Sequence, residues 1–111
     1  MQPTQAMPMN NIFNNIPKDL SAESFSELLK TDTLKIERIV SKGHTSPASG
    51  WYDQADNEWL LLLKGQAILT FEDKPEVRLQ AGDSLNIPAH QKHKVSWTEP
   101  NIETIWLTVH Y

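Results

Sequence analysis

The sequence contains no cysteine. That excludes disulfides, thiolate metal sites and a cysteine nucleophile together, and it agrees with a reducing, cytoplasmic setting. It also lacks an excess of basic charge. Ten Lys and Arg stand against fourteen Asp and Glu, for a net charge of −4, so a nucleic-acid partner is not expected. Long apolar runs are missing as well. The longest, Trp59–Leu63, is far shorter than the roughly 20 residues that cross a bilayer as a helix. The opening residues show no basic region followed by an apolar stretch, so no secretion signal is read. A cytoplasmic protein without a membrane partner is the expectation, and 111 residues suit one domain.

Residues 1–20 are rich in Asn, Gln and Pro and read as an N-terminal arm, with Ile12, Phe13 and Ile16 able to pin part of it. Residues 21–111 read as a single domain. A short helix is predicted from Ser21 to Lys30. Serine opens it, Glu23 and Glu27 suit its first turns, and Phe25, Leu28 and Leu29 share one helical face. Beyond Thr31 the apolar pattern changes to period two. Leu34, Ile36 and Arg38 fall on one side, with Lys35, Glu37 and Ile39 on the other. Residues 58–63 are apolar on both faces, as in a strand covered on both sides. Its outer face calls for the N-terminal helix or a second copy of the chain. Further short strands, separated by Gly, Pro and Asp turns, indicate an all-β sandwich or barrel.

Two segments carry a more specific pattern. Glu58 is followed after six residues by Gly65; Gly82 is followed after five by Pro88, and His93 comes five positions later. This pair resembles the two motifs of the cupin superfamily, roughly G-x5-H-x-H-x3-4-E-x6-G and G-x5-P-x-G-x2-H-x3-N. The resemblance spans about residues 33–110, includes a group of short cupin-domain proteins, and implies a jelly-roll β-barrel. In that family two histidines and a glutamate of the first motif, with the histidine of the second, typically hold one metal ion. Glu58 and His93 match this set, whereas Tyr52 and Gln54 occupy the places of the two histidines. The second-motif glycine is His90 here, and the asparagine is Trp97.

The residue chemistry allows two kinds of site. As a metal centre, Glu58 and His93 would ligate Zn, Fe, Mn, Ni or Cu. Gln54 would add a carbonyl oxygen, and Tyr52 a phenolate if the metal acidifies it. Asp53, Asp56 or His90 could complete such a set. As a metal-free pocket, His93 and Tyr52 would form an acid–base pair of the kind the family uses on nucleotide sugars. The barrel would then bind a small, sugar-like molecule or act as a sensor module. A dimer without chemistry is the third reading. Trp97 and Trp106 are candidates for the pocket wall, and Tyr52 for a proton-moving role. His44 and His110 read as incidental, and His90 as a turn residue.

Overall fold

The computed structural model describes residues 6–111. Eight strands follow one another: β1 (Ser24–Lys30), β2 (Lys35–Ser41), β3 (Glu58–Lys64), β4 (Gln66–Phe71), β5 (Val77–Gln80), β6 (Ser84–Ile87), β7 (His93–Thr98) and β8 (Thr104–His110). They form a five-stranded sheet in the order β1-β2-β8-β3-β6 and a three-stranded sheet in the order β5-β4-β7. All strand pairs are antiparallel. Period-two alternation turns Leu60, Leu62 and Trp106 of the larger sheet toward Ala67, Leu69 and Leu79 of the smaller, and these buried side chains make the core. Each such leucine contributes about 1.5–3 kcal/mol by leaving water.

No helix occurs among the described residues, which corrects the expectation for residues 21–30. Ser24–Lys30 form β1, an edge strand. Its backbone pairs with β2, Phe25 opposite Ile39 and Ser26 opposite Arg38, with a bulge between Glu27 and Leu29. Phe25, Leu28 and Leu29 satisfy a helical spacing, but a ladder to a formed neighbouring strand decides the conformation. Local pattern gives way to tertiary pairing here.

The N-terminal arm is fastened by Arg38. Its guanidinium donates to the carbonyls of Ile12 (3.0 Å), Asn14 (2.7 Å) and Asn15 (3.2 Å). Ile12 and Ile16 are half-buried, whereas Phe13 stays exposed. The turn between β3 and β4 depends on Gly65, whose φ is +88°. A Cβ there would meet Thr104 Oγ1 and lie 2.8 Å from the Thr104 Cα. No side chain larger than hydrogen fits that approach of β3 to β8.

A candidate site between the two sheets

The sheets enclose a cavity of about 100 Å³. Its polar wall begins where two strands begin. Glu58 is the first residue of β3 and His93 the first of β7, so one carboxylate and one imidazole enter the cavity from opposite sheets. Both are almost fully buried, and His93 Nε2 lies 3.7 Å from Glu58 Oε1. His93 Nδ1 sits 2.7 Å from the Gln91 carbonyl. A carbonyl only accepts, so Nδ1 carries a proton, and Nε2 is the nitrogen left to titrate. Burial pushes the pKa of His93 down, but the Glu58 carboxylate and the Gln91 carbonyl outweigh it and raise the ring above its ordinary 6.5.

Tyr52 and Gln54 also line the cavity. Backbone pairing with β7 puts Tyr52 there, and the Gln54 carbonyl accepts from His90 N at 2.8 Å. Tyr52 N donates to the His93 carbonyl at 2.8 Å, His93 N donates back at 3.1 Å, and Ser46 pairs with Val95 in the same manner. The Tyr52 and His93 rings are 5.6 Å apart at 38°. Thus the two positions at which the family motif has histidines do face the interior, carrying a phenol and an amide.

A second histidine–glutamate pair shares the cavity. His110 Nε2 lies 3.4 Å from Glu37 Oε1. Sequence reasoning set His110 aside because it lies near the end of the chain, and the structure corrects this. Its signal was present: Trp106, Thr108 and His110 follow period two along β8, and all three line the cavity. Glu37 had the same signal, two residues before Ile39. Glu23 lines the cavity from the segment before β1. Ser41 donates to its Oε2 at 2.7 Å, and Trp106 Nε1 donates to Ser41 Oγ at 3.3 Å. Thr108 Oγ1 is fully buried and has no hydrogen-bond partner, a condition that costs about 1–3 kcal/mol.

Other candidates lie elsewhere. Trp97, expected in the pocket wall, points out of it and carries the Arg78 guanidinium 5.4 Å above its ring. The cause is a bulge in β7. Ile68 pairs with Trp97 but Leu69 pairs with Val95, so Ser96 is skipped and the alternation reverses. His90 is exposed, with φ +63°, and its Nδ1 lies 2.8 Å from Asp53 Oδ1. This contact ties the turn after β6 to the Tyr52–Gln54 segment, outside the cavity. Asp56 is outside it too.

The donor set does not fit the metal site expected from the family motifs. Among the described residues, no three His, Asp or Glu side chains come together in a metal-holding group. His93 and Glu58 face each other, His110 faces Glu37, and an amide and a phenol stand where imidazoles would complete a tetrahedral or octahedral set.

The family model for the cupin domain matches residues 38–110. No match is found among curated proteins. Among solved structures, a protein of Ralstonia eutropha JMP134 described as a candidate mannose-6-phosphate isomerase is 38% identical. The match covers 94% of this chain and 97% of that one, with a TM-score of 0.87. A cupin superfamily protein of Desulfitobacterium hafniense DCB-2 is 20% identical over 96% of this chain and 92% of its own, with a TM-score of 0.74. An RmlC-like cupin of Methanocaldococcus jannaschii, with a double-stranded β-helix fold, is 19% identical over 86% and 84%, with a TM-score of 0.68.

Proposed function

The chain belongs to the cupin family as a small single-domain member, and from that premise we propose that its cavity binds a small polar molecule directly, without a metal. One observation carries this reading. Two histidine–glutamate pairs and Tyr52 converge on a single cavity, while among the described residues no third ligand joins either pair.

In this reading His93 is the proton-handling group. Its imidazolium Nε2 holds a proton against Glu58, and a ligand oxygen entering between them receives it. Glu58 keeps the ring charged until transfer. Tyr52, stacked at a tilt beside the ring, orients the ligand through its hydroxyl. Leu60, Leu69 and Val95 keep the surroundings apolar, which strengthens each polar contact made inside. The likeness to a protein described as a sugar-phosphate isomerase agrees with a polyhydroxylated ligand skeleton.

The test is an NMR titration following the ring signals of His93, His110 and Tyr52 against a panel of small molecules. The panel pairs ethanolamine, ethylene glycol and glycolate, and likewise mannosamine, mannose and mannose 6-phosphate. Saturable shifts at these rings, weakened in His93→Gln and Tyr52→Phe, are expected. If no member of the panel moves them, the reading fails.

A further inference from the structure

The ionisable wall of the cavity is lopsided in charge. Glu23, Glu37 and Glu58 line it with His93 and His110, and no lysine or arginine does. Three carboxylates against two imidazoles give −3 when both rings are neutral and −1 when both are charged. Lys35 reaches Glu37 Oε1 at 3.7 Å but is not part of the lining. Even counting it, the balance is zero only when both histidines are protonated and negative otherwise.

A second, independent feature marks where a ligand polar group would sit. Thr108 is 1% exposed, and its Oγ1 is unpartnered. It lies opposite Glu37 of β2 and Leu60 of β3 in the ladders, with Glu58 opposite His110 one inward position further along β8. A free hydroxyl acceptor therefore lies opposite one carboxylate, Glu37, and one inward position from a second, Glu58. Every one of these groups accepts hydrogen bonds, and the complement is a group rich in N–H donors. The rest of the wall is apolar or aromatic: Ile39 and Leu60 beside the acids, Tyr52 and Trp106 beyond them. A calcium or magnesium ion asks for six or more ligands, mostly oxygen, which this mixed wall does not supply. An ammonium on a hydrocarbon or sugar skeleton asks for a few acceptors, an apolar body contact and an aromatic face.

We propose that the cavity selects organic ammonium compounds, with the N–H groups received by Glu37, Glu58 and the Thr108 hydroxyl. This rests on the reading of the cavity as a ligand site and narrows its substrate class. It also sets this chain apart from a phosphorylated ligand, whose charge would meet carboxylates and no lysine or arginine in the cavity wall.

The test compares the matched compounds at pH 8 by isothermal titration. Ethanolamine and mannosamine are expected to bind at least about tenfold more tightly than ethylene glycol and mannose, the worth of one charged hydrogen bond. Glycolate and mannose 6-phosphate are expected to bind most weakly. Glu37→Gln should erase the amine preference by weakening the amines more than the alcohols. Thr108→Val guards against a misfolded variant: it removes an unpartnered hydroxyl, so it should melt no lower than the wild type while losing amine affinity about threefold. Alcohols binding as tightly as amines would overturn the ammonium proposal and leave the ligand site standing. So would a preference for the anions, or displacement of the amines by equimolar Ca²⁺. Absence of all binding would overturn both.

Discussion

Glu58 and His110 stand opposite one another in the ladder between β3 and β8, yet each pairs with a different residue. Glu58 reaches across the cavity to His93 on the other sheet. His110 turns along its own sheet to Glu37 on β2. The first pair therefore ties the two sheets together, and the second reinforces one of them. Only the first couples a proton to how the sheets are held.

That coupling has a pH dependence of definite sign. The folded protein holds the His93 proton more tightly than the unfolded chain, because Glu58 and the Gln91 carbonyl outweigh the effect of burial. The stabilisation is complete below the unfolded value, near 6.5, and fades as pH rises through the raised folded value. Urea unfolding between about pH 5.5 and 8.5 should show wild-type stability falling with pH from this group. In Glu58→Gln that part of the slope should flatten. Equal slopes in the two proteins would refute the assignment.

Much of this architecture is written in the sequence. The period-two pattern after Thr31 gives the strands, and the Gly65, Gly82, Pro88 and His93 spacing gives the family. The failures share a physical cause, namely contacts between distant segments. Phe25, Leu28 and Leu29 fit a helix until Ile39 and Val40 offer a ladder. Trp97 sits on the inward face until a bulge at Ser96 reverses it. His110 gains meaning only when β2 brings Glu37 beside it. Each depends on a neighbouring strand that local spacing does not reveal.

The two motif glycines are expected to differ in cost. Gly65 and Gly82 both have positive φ, +88° and +95°. A Cβ on Gly65 collides with Thr104, including its backbone, whereas at Gly82 it meets open space. Gly65→Ala should therefore lose roughly 2–5 kcal/mol, combining strain with overpacking. Gly82→Ala should lose only about 1–2 kcal/mol from strain. Chemical denaturation of both variants measures the difference, and equal losses would contradict the close approach of β3 and β8.

Metal should leave stability unchanged. A site that binds a metal only when folded gains stability by mass action, and a chelator removes it. With His93 and Glu58 facing each other and no third His, Asp or Glu beside them, EDTA is expected to leave Tm where it was. Zn, Mn, Ni, Cu and Fe(II) supplied one at a time should not raise it. A rise with one equivalent of any of them, lost in both His93→Gln and Glu58→Gln, would restore the metal-centre reading.

The outer face of the five-stranded sheet carries the final expectation. Because Glu58, Leu60 and Leu62 point inward, Trp59, Leu61 and Leu63 point outward, and all three are only half-buried. Val109 and Leu107 stand opposite Trp59 and Leu61 in the ladder and extend the same apolar row. No helix lies among the described residues to cover it. The edge strand β1 extends the row with Leu29, 53% exposed, which pairs with Ile36, itself opposite Val109. Such a surface next to an unpaired edge is a contact site in waiting, and we expect a second copy of the chain to fill it. Light scattering should then give twice the 12.7 kDa chain mass, and Leu61→Glu should return the single mass. A charge in the middle of the row opposes burial there far more than it disturbs the monomer, where Leu61 already meets water. A monomeric wild type at high micromolar concentration would show instead that the chain tolerates this face in solvent.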